Sequence, residues 1–396
     1  DLAVLNGDAG TVSVFRGSSE IMTKGVPDAI VSLGLTSPRS ICGGYIGALG
    51  EGVLAVGGSD GVEIVYHPLS TPVLESIGAG TTGNRTAVSM GKISSTSVSG
   101  GIAALNEGTG RIEIYLVKGS PSIGDCYPDT PNAWLNMVGR APTSMTMGDF
   151  NGDGRDDVAA GSAQGQVRVF LNSDLGFYGD TPASITSHLP GAVSHVSSAD
   201  LNDDGLDDIS VGYSSISKVG LLLSTGSSFS NNINLSAGGR AAGIFAGDIN
   251  GDQRDDIAAS SSSSGALSIW FQRNLAPSPQ AWLSDLTPIE GGNMAFDAGN
   301  SSDSMSDRPS LTYLWDFGDG NTSTAVSGHH AYGANGSYDG YLEVTDRAGM
   351  KGRAVFHVVA EDAGPVAAVY LSSTTIHEGG LIGFFDDSSS FPDRIT

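Results

Sequence analysis

The sequence predicts an all-β protein. Glycine accounts for 57 of 396 residues, roughly twice ordinary usage, and no long stretch repeats its apolar residues with helical spacing. Short apolar segments instead alternate with period two between turn-forming residues. They begin at 12 (VSVF), 62 (VEIVY), 112 (IEIYL), 167 (VRVFL), 219 (VGLLL) and 267 (LSIWF), an internal repeat of about fifty residues.

A chain of 396 residues exceeds the usual size of one core, so two or three domains are expected. Its 39 % apolar residues suffice for real cores, and its 16 % charged residues are too few for a disordered chain. The net charge of −24, with only 19 Lys and Arg, leaves no basic patch for nucleic acid or anionic lipid. Metal cations are the more natural counter-ions. No apolar run approaches the ~18 residues that suggest a membrane span, and no signal peptide or initiator Met is present. Any targeting segment is therefore expected to have been removed or to lie outside these residues. Cys42 and Cys126 are compatible with a disulfide or with two separate buried thiols. N-x-S/T triplets at Asn84, Asn234, Asn300, Asn321 and Asn335 lean toward an exported, glycosylated protein.

Three of the repeats carry a dense carboxylate cluster ahead of an apolar strand: GDFNGDGRDD at 148, ADLNDDGLDD at 199 and GDINGDQRDD at 247. Carboxylates so close repel unless something neutralises them. All three follow D-x-N-x-D-x-x-x-D, with Asp149, Asn151, Asp153 and Asp157, then Asp200, Asn202, Asp204 and Asp208, then Asp248, Asn250, Asp252 and Asp256. Side-chain oxygens at positions 1, 3, 5 and 9, with the carbonyl of position 7 (Arg155, Leu206 and Arg254), make a partial shell for a hard cation, and calcium fits best. About three such ions are expected. Gly154 and Gly205 occupy position 6, where the loop must turn and a positive φ is cheap only for glycine. Gln253 stands there in the third loop, whose affinity should be the weakest. A helix–loop–helix calcium hand is excluded, because position 12 is Ala160, Val211 or Ala259 instead of a bidentate Glu. Asp and Asn also favour plain turns, but that does not explain four ligand positions kept in register three times.

The loop, followed by a short apolar strand ending in Gly, resembles the FG-GAP repeat of integrin α-subunit-like β-propellers over roughly residues 1–274. The resemblance implies four-stranded blades, six or seven of them, with the calcium loop joining two strands at the rim. The units at 52 and 101 keep the strands without the acids: the places of Asp149 and Asp157 fall on Tyr45 and Val53, then on Ile93 and Gly101. Asp1 matches Asp157.

After Leu275–Gln280, read as a link, a second architecture begins. Trp315 to Gly320 (WDFGDG), His330 to Tyr332, Gly336 to Tyr338 and Val344 to Asp346 resemble the signature of the PKD domain, an immunoglobulin-like β-sandwich, over 281–361. Trp315 is then a core residue. Aligning WLSDLTPIEGG at 282 with YLSSTTIHEGG at 370 places the start of a second PKD-like unit at 365–396. The chain is accordingly expected to be part of a longer protein.

Catalytic motifs are missing. The seven histidines form no H-E-x-x-H pattern, there is no G-x-S-x-G elbow, and His329 and His330 have no carboxylate spaced to complete a metal site. The expectation is a non-catalytic extracellular cell-surface protein, a calcium-stabilised propeller on a PKD stalk serving adhesion or surface-layer or filament structure. The tandem architecture, by its family resemblance, implies a prokaryotic envelope, archaeal or bacterial, with archaeal the first expectation. Expected partners are other surface proteins, extracellular glycans or further copies of the chain. The alternatives are an accessory binding region of a secreted polysaccharide- or protein-degrading enzyme and, third, a soluble binding lectin.

Overall fold

The computed structural model describes residues 2–16, 26–46, 51–78, 83–93, 100–119, 121–137, 141–173, 177, 185–230, 233–304, 310–364, 369–371 and 384–386. Two compact units divide the chain at Gln272 and Arg273. No α-helix occurs among the described residues.

Among the described residues, the first unit is a succession of six antiparallel sheets. The first sheet comprises Leu2–Asn6, Thr11–Phe15 and Ala29–Ser32; the second Ser40–Ile46, Glu51–Gly57, Val62–Tyr66 and Val73–Ile77; the third Arg85–Gly91, Gly101–Asn106, Arg111–Tyr115 and Ala133–Asn136. The fourth holds Pro142–Gly148, Asp157–Ser162, Gln166–Phe170 and Ile185–His188; the fifth Val193–Ala199, Asp208–Tyr213, Lys218–Leu222 and Ile233–Ser236; the sixth Ala241–Gly247, Asp256–Ser261 and Leu267–Trp270. Each alternating segment read from the sequence is a sheet strand, and strands adjacent in sequence pair within their sheet. The hairpins entering these strands close on Gly10, Gly110, Gly165 and Gly265, all with φ between 63° and 74°, a conformation that glycine adopts without steric cost.

Period two then sorts the side chains. Val12 and Val14, Val62 and Ile64, Ile112 and Ile114, and Val167 and Val169 are each at most 2 % exposed. Apolar clusters join neighbouring sheets, as where Ala159, Val167 and Val169 meet Ile209, Val211 and Leu222. The opening strands of the second to sixth sheets lie next to one another, and four of them carry a register shift near their start. A bulge of this kind re-aims a side chain. The bulged Thr143 donates its hydroxyl to Val193 O at 3.0 Å, and the bulged Ser194 to Ala241 O at 3.0 Å, so each ties its strand to the next sheet.

The sheets without acidic loops use a buried ion pair and a carboxylate clamp instead. Arg85, fully buried, meets Glu113 through Nε and Nη2, each at 3.2 Å. Glu75 of the second sheet accepts the Tyr66 hydroxyl and the N–H groups of Cys126 and Tyr127, which lie between the last two strands of the third.

The second unit is a two-layer sandwich. One layer orders Trp282–Leu283, Met294–Asp297 and Ser327–His330; the other orders Thr322–Ser323, Thr312–Asp316, Gly336–Thr345 and Lys351–Ala360. Trp315 is fully buried against Phe296 and Phe356, and its Nε1–H donates to Ala325 O at 3.2 Å. The link read at Leu275–Gln280 belongs to this unit: Ser278 pairs with Ser302, and Asn274 just before it donates to Asp346 Oδ2 at 2.8 Å. Of 365–396, only the paired segments Val369–Leu371 and Phe384–Asp386 are described; the remainder of the second PKD-like unit, the HEGG at 377 and Asp1 lie outside the described residues.

Candidate metal centre

The three acidic loops connect the first and second strands of the fourth, fifth and sixth sheets, and all wrap in the same way. Asp149 Oδ1 accepts the N–H groups of Gly152 at 2.7 Å and Asp153 at 3.1 Å, and its Oδ2 accepts that of Gly154 at 2.7 Å. Asn151 Oδ1 accepts from Asp153 N at 2.9 Å, and Asp153 Oδ1 from Arg155 N at 3.0 Å. The same bonds recur from Asp200, Asn202 and Asp204 in the second loop and from Asp248, Asn250 and Asp252 in the third.

Position 6 takes a left-handed conformation in every loop, with φ of 80° at Gly154, 89° at Gly205 and 69° at Gln253. The third loop thus keeps the turn without the glycine, at a cost of about 1–2 kcal/mol. Position 4 is left-handed as well, at Gly152, Asp203 and Gly251; Asp203 bears a smaller strain, since Asp visits this region more readily than most residues.

Position 9 anchors the wrap. Asp157, fully buried, accepts Phe150 N at 3.2 Å and Asn172 N at 2.6 Å; Asp208 accepts Leu201 N and Ser224 N, and Asp256 accepts Ile249 N and Gln272 N. Burial pushes the carboxyls of Asp157 and Asp208 up to about 7, and the neighbouring Asp153 and Asp149, or Asp204 and Asp200, add to the rise, while the backbone amides oppose it.

Among the described residues, no three His, Cys, Asp or Glu side chains stand in metal-coordinating proximity. One of the four donors in each loop is an Asn amide, and the position-1 carboxylate engages both oxygens with loop amides. The donor set still fits a hard cation, because every donor is an oxygen and a carboxylate has about four acceptor sites, so amide bonds leave lone pairs free.

Position 7 differs from expectation. Only its carbonyl was assigned a role, yet the guanidinium of Arg155 bonds Asp153 Oδ2 at 2.8 Å, and Arg254 lies 3.6 Å from Asp252 Oδ2. These cations partly neutralise the first and third loops and would compete with any cation there. Leu206 leaves the second loop without such a counter-charge.

The second Asp of each D-D pair escaped the sequence reading. Asp207 accepts Asp149 N at 2.8 Å and donates its own N–H to Asp149 O at 3.0 Å. Asp255 accepts Asp200 N at 3.2 Å, and Asp156 pairs with the backbone of Lys92 through both groups. Position 8 therefore latches each loop to position 1 of the preceding sheet, and the repetition of D-D was the signal available. Burial and the neighbouring aspartates push Asp207 up to about 6. Asp207→Ala removes the acceptor of a half-buried amide and should cost about 1–3 kcal/mol, read as a lower urea midpoint; an unchanged midpoint would show that the latch bears no load.

That latch also corrects one alignment. Gly91 pairs with Gly101 as Gly148 pairs with Asp157, so Lys92, not Ile93, holds the place of Asp149, and the intervening loop is one residue longer. Ile93 is a buried core residue.

Other candidates fall apart from this centre. Asn234, Asn300, Asn321 and Asn335 are exposed and Asn84 is half-buried. Cys42 and Cys126 are free thiols, and burial pushes Cys42 up to about 12. His330, expected to lack a carboxylate, places Nε2 3.0 Å from Asp319 Oδ2 while its ring stacks 3.9 Å from Phe317. That pairing fastens the WDFGDG turn to its sheet.

The chain matches the FG-GAP-like repeat over residues 149–211 and 200–259, and the PKD domain over 274–360. It is 40 % identical over 74 residues to a microbial collagenase of Vibrio alginolyticus, covering 19 % of this chain and 9 % of that protein. It is 37 % identical over 82 residues to collagenase ColQ1 of Bacillus cereus (strain Q1), covering 18 % and 8 %. The chain thus spans less than a tenth of these relatives. The PKD1 domain of the Vibrio cholerae metalloprotease PrtV is 32 % identical, covering 22 % of this chain and 99 % of that domain with a TM-score of 0.19. The chain is an all-β protein in which FG-GAP-like repeats, with their acidic loops, are followed by a PKD domain.

Proposed function

We propose that the six sheets are blades of a calcium-stabilised β-propeller, and that the chain is a non-catalytic extracellular protein of a prokaryotic cell surface. PKD-type sandwiches act as its stalk, and the propeller serves adhesion or surface-layer or filament structure, with other surface proteins or glycans as partners. The observation that carries this reading is the identical amide wrap of three oxygen-rich loops on successive sheets. Asp149, Asn151, Asp153 and Asp157, and their counterparts in the other two loops, would hold the ions. Bound calcium would neutralise the clustered carboxylates; the amides of positions 4 to 7 orient the acids, and position 9 ties the loop to the strand.

A second reading, an accessory region of a secreted protein-degrading enzyme, is favoured by the identity shared with the two collagenases. Both readings predict no turnover by this chain itself. Calorimetric titration should find about three calcium ions per chain, and Asp200→Ala should remove one. A gelatin and polysaccharide panel should show no hydrolysis; turnover abolished by a point substitution within residues 1–396 would refute the non-catalytic reading. A catalytic domain in the same polypeptide would select the second reading.

A further inference from the structure

The first and second acidic loops are joined to each other more closely than the second is to the third. Asp207, at position 8 of the second loop, meets Asp149, at position 1 of the first, through two bonds: its carboxylate accepts Asp149 N at 2.8 Å, and its N–H donates to Asp149 O at 3.0 Å. A second bridge runs through buried Ser224. Its N–H donates to Asp208, position 9 of the second loop, at 2.7 Å, and its hydroxyl donates to Phe150 O, next to Asp149, at 2.6 Å. The Phe229 ring packs edge-on against Phe150 at 5.9 Å. A methyl placed on Gly152 would meet Leu206 Cδ2 at 2.9 Å, so position 7 of the second loop also packs on position 4 of the first.

The other neighbours lack this arrangement. Asp255 of the third loop accepts Asp200 N at 3.2 Å, and among the described residues no backbone bond returns from Asp255 to Asp200. Gln272 holds the place of Ser224 and donates its N–H to Asp256 at 2.8 Å, but its side-chain Oε1 is buried without a hydrogen-bond partner. On the opposite side of the first loop, Asp156 and Asn172 reach Lys92 and Ile93, which belong to no acidic loop.

We propose that the first two loops take up calcium as a coupled pair, each ion raising the neighbouring loop's affinity by about tenfold, while the third loop binds independently. The inference rests on the calcium reading and deepens it. Binding that orders a segment lowers the ordering cost left for a second ligand that needs the same segment. An ion held by Asp149 fixes the backbone that grips Asp207 and Ser224. Asp207 stands between Leu206 and Asp208, whose carbonyl and carboxylate belong to the donor set of the second loop. Repulsion between two dications acts in the opposite sense, but salt screens it over about 8 Å at physiological ionic strength, whereas the buried Ser224 bridge is not screened. Asp207 and Ser224 are thus positioning residues that carry the coupling.

Calorimetric calcium titration of the full chain at physiological ionic strength tests this. Asp248→Ala leaves the first and second loops; adding Asp149→Ala leaves the second alone, and adding Asp200→Ala leaves the first alone. Asp149→Ala removes the carboxylate but keeps the N–H and carbonyl that meet Asp207, so it reports on occupancy and not on the latch. Each isolated loop should bind about tenfold more weakly than it does with its neighbour filled, by the same factor for both, because coupling is reciprocal. Restoring Asp248 should change the second loop's affinity by less than about twofold.

In the Asp248→Ala chain, Asp207→Ala with Ser224→Ala should still bind two ions, with coupling below about twofold. Ser224→Ala alone, a milder change, should lower the factor in part, and Asp207→Asn, which keeps an acceptor for Asp149 N–H, should retain most of it. A purely structural role would weaken both binding steps alike and leave their ratio unchanged. Equal affinity of the second loop with and without Asp149→Ala, or coupling that survives loss of both bridges, would overturn the proposal while leaving the calcium reading intact. Absence of any calcium binding by the parent chain would overturn that reading and the coupling with it.

Discussion

Chelation is expected to lower the melting temperature of Asp1–Gln272 by on the order of 10 °C relative to millimolar calcium. Each acidic loop crowds three carboxylates and an amide, a repulsion that the unfolded chain relaxes. An ion bound only by the native loop stabilises by RT ln(1 + [L]/Kd), about 1.4 kcal/mol at tenfold excess over Kd. Three loops give about 4 kcal/mol, a large part of the ~5–15 kcal/mol that holds a domain together. Three divalent ions would also offset six of the 24 net negative charges.

The sites should empty in order. The third loop combines a strained Gln253 with the Arg254 counter-charge, so it should release its ion first. The second, with Gly205 and without a basic neighbour at Leu206, should release last. Calcium titrations of Asp248→Ala and Asp200→Ala variants check this sequence. Identical melting curves in chelator and in calcium would end the calcium reading.

Arg85→Met should cost about 3–5 kcal/mol, read from the urea midpoint of the first unit. The guanidinium also donates to Gly83 O at 2.8 Å, and Glu113 accepts from Asn106 Nδ2 at 2.8 Å and the Tyr115 hydroxyl at 2.9 Å. Removing the cation leaves a buried carboxylate with neutral donors alone. The charge-free double variant Arg85→Met, Glu113→Leu should recover part of the loss, because an apolar pair of similar volume avoids desolvation. A single variant within about 0.5 kcal/mol of the parent would show that the pair is not stabilising.

Strand positions, the register of the acidic loops and the WDFGDG sandwich were legible from sequence. Each depends on chemistry within about ten residues: period-two alternation, turn residues, and ligands on one short loop. The left-handed turn at Gln253 could not be read, because the neighbouring amide bonds to Asp248 impose it despite the residue's preference. The Asp207 latch to a residue 58 positions away was likewise out of reach, as were Arg155 on Asp153, the placement of Lys92, and the membership of Asn274 to Gln280 in the second unit. An aspartate at position 8 has the same local signature whether it points to solvent, to an ion or to another sheet.

Sequence by itself therefore determined which segments become strands and which loops gather oxygen, since both are set by short-range periodicity and turn geometry. Only the tertiary structure decided which carboxylates face a loop's interior and which bind the neighbouring sheet. It also decided that Arg85 and Glu113 share a buried site and that Leu267 and Ile269 stand uncovered where Val167 and Val169 do not. Burial and pairing across sheets depend on what lies opposite in space, and two residues with the same neighbours in sequence can meet different ones there.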